Sequence, residues 1–157
     1  ARLEAMNNGA IDYTIISEPW PTRLVEEGHR LAMPVGEVLD DFQYTMLAFG
    51  PRLLDEEREA GRAFVAGYLR AVRQFNEGPT PRNLEIAART TGLDEATLKK
   101  VCWPTIREDG GIEEESIMEY QRWALEQGHI RRVVPIDELW DPEFTTAFRE
   151  RQAAAAR

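Results

Sequence analysis

The stretch "NNGAIDYTIISEPWP", residues 7–21, decides how the rest of the chain is read. Before it, "RLEAMNNG" reads as the end of a helix, with Gly9 as a left-handed stop after two Asn. "AIDYTII" then reads as a short strand, because it is rich in β-branched residues. The strand would end in Ser17, Glu18, Pro19, Trp20 and Pro21, which bring together an acid, a large aromatic and two rigid prolines. Two readings of that ending stand side by side. In one, Ser17 caps the next helix, Pro19 fills its first turn and Trp20 packs below. In the other, Glu18 and Trp20 project into a binding crevice, because ligands of open α/β sheets bind beyond the carboxyl ends of strands. A helix start also offers free N–H groups to a polar head.

Working outward, "EPWPTRLVEEG" suits a short helix closed by Gly28. "HRLAMPVG" is a second strand candidate, weakened by Pro34, and "FQYTMLAFG", residues 42–50, is the third and best. The remainder reads as helical. Asp55 is a plausible N-cap, followed by a stripe of Phe64, Val65, Tyr68, Leu69, Val72 and Phe75 at helical period. Thr80-Pro81 opens another helix and Asp94 caps a third. Glu113 to Gln127 forms a fourth, with Ile117, Tyr120, Trp123 and Ala124 facing inward. Asp141-Pro142-Glu143 opens the last. The expected class is therefore α/β, a short β/α segment followed by a mostly helical C-terminal region. Three strands make a thin sheet, and parallel strands are normally covered on both faces. The chain also opens inside a helix with no cap before it. The expectation is that N-terminal sequence is missing.

The 157 residues suffice for one domain with a real core. With 28 acidic against 19 basic residues, the net charge of −9 would repel a phosphate backbone, so nucleic acid is not an expected partner. The opening "ARLEAMNNG" lacks the pattern of a signal peptide, and the chain reads as a mature product or a fragment. The single Cys102 excludes an internal disulfide and reads as a small buried hydrophobe.

Catalytic and metal chemistry find no support in the motifs. His29 and His129 each follow a helix-ending Gly, with no second His or Cys at ligand spacing. There is no GxSxG, HExxH or CxxC, and "GPRLLDEEREAGRAF" lacks phosphate-loop and dinucleotide spacing. The run Glu113-Glu114-Glu115 suits the positive end of a helix dipole. Trp103 and Trp140 read as packing anchors. No catalytic residue, metal site or cofactor is expected.

Several segments together carry a family resemblance. "AMNNGAIDYTIISEPWPTRLVEEG" resembles the pattern "A-L-x-x-G-x-I-D-A…E-P-x…G" of periplasmic solute-binding proteins of ABC importers. The branch is the nitrate/sulfonate/taurine/bicarbonate type with its thiamine-precursor relatives, the NMT1/THI5-like and SsuA-like family. "QYTMLAFGPRLLDEEREAGRAFVAGYLRAVRQF" is similar to the family's return strand and long helix. "SIMEYQRWALEQGHI" with "ELWDPEFTTAF" is similar to its C-terminal ending. The resemblance implies part of a type II periplasmic-binding-protein fold. Residues 1–157 would be the C-terminal half of a two-lobed protein, about 1–40 ending one lobe and about 41–157 returning to the other. It implies capture of a small polar solute in the cleft between lobes, with Ser17, Glu18, Pro19 and Trp20 as ligand-binding residues, and delivery to an ABC permease. The missing N-terminal half or a second copy of the chain would be a further partner. The implied location is periplasmic or extracellular, with a lipid anchor in the full-length protein a further possibility of the family. The thiamine-precursor enzymes of the family carry a Cys-rich motif absent here, which favours a non-enzymatic role. The alternatives are a pyrimidine-synthase-type enzyme on the same fold, or a ligand-sensing module of a signalling protein.

Overall fold

The computed structural model describes residues 1–39 and 41–155. Among these residues the regular structure is helical: α1 (Arg2–Asn7), α2 (Trp20–Glu26), α3 (Arg58–Asn76), α4 (Pro81–Thr91), α5 (Glu95–Leu98), α6 (Glu114–Glu126), α7 (Ile136–Leu139) and α8 (Glu143–Ala155). A 3-10 turn at Val35–Glu37 and a π-helical turn at Arg52–Glu56 precede α3. Asp55, expected to cap α3, lies inside that π-helical turn. The chain divides into two compact units, Ala1–Pro34 with Gln74–Ile106, and Val35–Arg73 with Arg107–Arg157. The lobe boundary expected at about residue 40 falls on Asp40, which lies outside the described residues, as do residues 156 and 157 of the tail.

The first unit is organised around helix ends. Leu24, Leu84 and Leu98 are buried. Thr80 caps α4 by accepting the Asn83 N–H at 3.2 Å, and Gly92 closes the helix at φ 72°. Asp94 caps α5 by accepting the Thr97 N–H at 2.9 Å, and that bond holds its carboxyl below the usual range. Asn83 is the buried polar centre. Its Nδ2 donates to the carbonyls of Gln74 at 2.6 Å and Gly78 at 2.8 Å, and its Oδ1 accepts from Gln74 Nε2 at 3.1 Å. One side chain thus adds a second donor to carbonyls at the end of α3 that also accept the Glu77 and Thr80 N–H groups. Nearby, Asn76 and Ile106 exchange two bonds, and the Trp103 ring packs 5.1 Å from Phe75.

The second unit has an aromatic core. Val65 and Leu69 of α3 meet Phe144 and Phe148 of α8, with Phe49 and Leu54 packed against them. Gly61 admits the Phe144 ring: a Cβ there would stand 2.7 Å from Phe144 Cε1. The start of α8 is tied down by charge. Arg58 donates to Asp141 at 2.8 Å and to Glu143, and its guanidinium lies 4.9 Å from the Phe144 centroid. Arg62 pairs with both Glu59 and Glu143. The hydrogen bond from Arg62, then that from Arg58, holds the Glu143 carboxyl below its ordinary range, and Arg58 does the same for Asp141.

The α/β expectation is overturned. Among the described residues there is no strand, so the type II periplasmic-binding fold and its sheets are not present. The three segments read as strands, 10–16, 29–36 and 42–50, are irregular apart from the 3-10 turn that begins at Val35. The sequence signal for the first of them was its richness in β-branched residues. Tyr13 and Ile15 are 83% and 72% exposed, and every residue from 30 to 39 is exposed. A strand, however, requires a neighbouring backbone, and no ladder forms here. Helix α2 separates the first two segments, and no backbone pairing joins the second to the third among the described residues. Pro34 also removes one N–H from the second. Two other readings change. Cys102 is exposed, and Tyr120 and Trp123 of α6 are 53% and 46% exposed, leaving Ile117 and Ala124 as its buried positions.

Two outcomes follow from this packing. Irregular segments that present Tyr13, Ile15, Leu31 and Met33 to water should drive association. Sedimentation velocity should show a weight-average mass that rises with concentration, and Tyr13→Ser with Ile15→Ser should reduce that rise. Asp141 and Glu143 titrate below their unfolded values near 3.8 and 4.5. Their contribution is therefore present above those values and is lost as pH falls through the lower folded ones. Thermal melting followed from pH 6 to pH 2.5 should fall more steeply below about pH 4.5 in the wild type than in Arg58→Met with Arg62→Met.

Candidate functional site

The residues expected to bind ligand lie at the start of α2, in the first unit. The N-cap position falls on Pro19, which has no side-chain acceptor, and Pro21 is the proline of the first turn. Glu18 therefore takes the capping role that the sequence suggested for Ser17. Thr22 Oγ1–H lies 3.0 and 2.9 Å from the two Glu18 oxygens, and the Thr22 N–H donates to Oε2 at 3.3 Å. The Cys102 N–H approaches Oε1 at 3.4 Å. The Glu18–Pro19 peptide is cis. Ser17 contributes its carbonyl, which accepts the Trp20 N–H at 3.3 Å. Trp20 is half-buried at the first position of the helix.

Beside this helix start is a cleft of about 280 Å³. Glu18 and Thr22 form one side, Pro21, Val25 and Leu31 supply apolar wall, and Glu26 and Lys100 complete it. Lys100 donates to Glu26 at 2.6 Å, and that bond raises the ammonium above its ordinary value. The lining thus has two carboxylates and one ammonium, the latter already paired. Its size and partly apolar wall match a small organic molecule better than a bare ion. Of the four expected residues, only Glu18 lines the cleft; Ser17, Pro19 and Trp20 shape the turn that holds it.

Sequence reasoning missed Thr22, Val25, Leu31, Glu26 and Lys100. The Glu18–Thr22 pair was detectable, since residues four apart on a helix entry share a face. Val25 and Thr22 were likewise within one turn of the quoted stretch. Lys100 lies 74 residues from Glu26 and carries no local sign of that contact.

A second, more open hollow of about 590 Å³ lies in the other unit, around Arg62, Asp141 and Glu143. Arg62, Asp141, Glu143 and Glu59 there are committed to the ion pairs around the start of α8, which gives it a structural account. No group of His, Cys, Asp and Glu able to hold a metal occurs among the described residues. No helix there is long and apolar enough to cross a membrane.

The capping geometry predicts a stability effect separable from binding. Glu18→Ala should lower unfolding stability by about 0.5–2 kcal/mol, the range for losing an N-terminal cap. Thr22→Val, which deletes the hydroxyl donor and leaves the backbone N–H, should cost less. Chemical denaturation of both variants is the measurement.

No curated protein and no solved structure matches the chain. The NMT1-like family does match, over residues 1–92, which include α1, α2, the Glu18 turn and the helices to the end of α4. On that match, which covers more than half of its length, the chain belongs to the NMT1-like family.

Proposed function

We propose that this chain works by recognition rather than catalysis, and that the cleft beside α2 binds a small organic solute bearing a hydrogen-bond-donating head. The expected capture between two sheet-built lobes is withdrawn, because no sheet exists among the described residues to build them. The cleft lies within one unit and needs no lobe closure.

The observation that supports this reading is Glu18. Its carboxylate is oriented by Thr22 and lines a cleft that also holds Glu26 and the apolar Pro21, Val25 and Leu31. A carboxylate has about four acceptor sites, so the bonds from Thr22 leave capacity for a ligand donor. Lys100 is engaged with Glu26, which leaves the lining negative. Such a lining repels nitrate and favours an ammonium or hydroxyl head with a short apolar body. Membership of the NMT1-like family implies transporter-type partners and a place outside the cytoplasm. Within that frame we assign the chain to the nitrate/sulfonate/taurine/bicarbonate branch, on Glu18-Pro19-Trp20, with a membrane permease as the partner and the periplasm as the place. The ligand we assign is a donor-bearing member of that polar class.

The test uses butylammonium and nitrate as probes in chemical-shift titrations of the whole chain. Butylammonium should perturb the amides of Thr22, Val25 and Lys100 saturably, and nitrate should not. Glu18→Gln should weaken butylammonium binding by about 1–3 kcal/mol, the scale of a charge-assisted hydrogen bond. Equal affinity in Glu18→Gln, or a saturable response to nitrate at the same amides, would overturn the assignment.

A further inference from the structure

Helix α6 presents an aromatic and acidic face to solvent that its packing does not require. The helix is fixed in rotation from its other side. Ile117 and Ala124 are buried, and Gln121 is clamped to Val134 by two bonds, Nε2–H to the carbonyl at 3.0 Å and Oε1 from the N–H at 2.7 Å. Tyr120 and Trp123 therefore cannot turn inward, and they remain half exposed. They are also held in place. The two rings stack with centroids 5.4 Å apart and 24° between planes, Phe42 meets Tyr120 edge-on at 5.7 Å, and His129 lies 5.5 Å from Trp123. Rigid, half-exposed Trp and Tyr give large contact area at low entropic cost, and they dominate binding energy where proteins meet.

Charge selects the occupant. Glu119 precedes Trp123 by four residues and Glu126 follows it by three, so both share its stripe of the helix. Both are exposed, and neither has an ion-pair partner among the described residues. Arg122, beside Trp123 in sequence, is paired with Glu115 at 2.8 Å. An indole flanked by two open carboxylates fits a guanidinium, which stacks on an aromatic face while its N–H fork reaches carboxylate oxygens. The net charge of −9 adds long-range attraction for a basic partner.

We propose that the outward face of α6 is a docking surface for an arginine-bearing segment of a partner protein, with guanidinium groups seated on Trp123 and Tyr120 between Glu119 and Glu126. The surface lies in the second unit and does not depend on the cleft beside α2.

The probe is a tetra-arginine peptide, titrated calorimetrically into the whole chain at 20 mM and 200 mM salt. Binding should occur at low salt and weaken at high salt. Trp123→Ala, and separately Glu119→Gln with Glu126→Gln, should each lower affinity about tenfold, the scale of a single interface anchor. Trp123→Phe should retain part of it, and tetra-lysine should bind more weakly. Glu4→Gln with Glu77→Gln, which removes the same charge elsewhere, should leave affinity unchanged. Circular dichroism of each variant confirms that the fold is kept, as expected for exposed positions. The proposal fails if tetra-arginine does not bind, if tetra-lysine binds equally and Trp123→Ala has no effect, or if the Glu4/Glu77 variant loses as much as the Glu119/Glu126 one.

Discussion

Every backbone N–H and C=O needs a partner, and the two kinds of regular structure meet that need differently. A helix closes its bonds within one segment, so the signals for it are local. A strand depends on a second segment being present at the right distance and register. This chain divides along that line. Segments with caps and periodic apolar residues became helices, and segments with only strand composition remained irregular, with Tyr13, Ile15, Leu31, Met33 and Tyr44 in water while Phe49 packs on the core. The same requirement explains the buried Asn83, which serves carbonyls at the end of α3, and the Glu18 carboxylate, which serves a helix start.

How much of this the sequence disclosed depends on that distinction. Thr80, Asp94, Gly92 and the Asp141-Pro142-Glu143 opening act locally, and each stands where its residue type implied. The α3 stripe was legible too, because Val65, Leu69 and Val72 are all buried at helical period. Tyr120 and Trp123 were misread for the opposite reason. Their spacing fits an inward face, but which face turns inward is set by Gln121 reaching Val134 thirteen residues away. Periodicity defines a stripe and not the neighbour that covers it. The short α7 escaped notice because "IDEL" carries no cap signal beyond the preceding Pro135.

The α2 site shows the same limit at the scale of single side chains. Glu18 was visible as an unusual acid between an apolar run and a helix. Its structural task, accepting the Thr22 donors, also has a functional aspect, because orientation by those bonds removes rotamer freedom that a ligand would otherwise have to restrict. Lys100 reaches Glu26 through tertiary packing alone, so the charge balance of the cleft could be judged only once both residues were in view. Family membership accounts for the first 92 residues and is silent on how α6 and α8 are used.

Cys102 closes the chain's thiol inventory at one, and that thiol is exposed. Its backbone N–H also faces the Glu18 carboxylate. A maleimide dye therefore has a single attachment point, with no competing thiol to block or remove. That point lies two residues from Lys100 of the lining, with its backbone N–H 3.4 Å from the Glu18 carboxylate, so a fluorophore placed there would sense solvent changes near the cleft without any substitution in its lining.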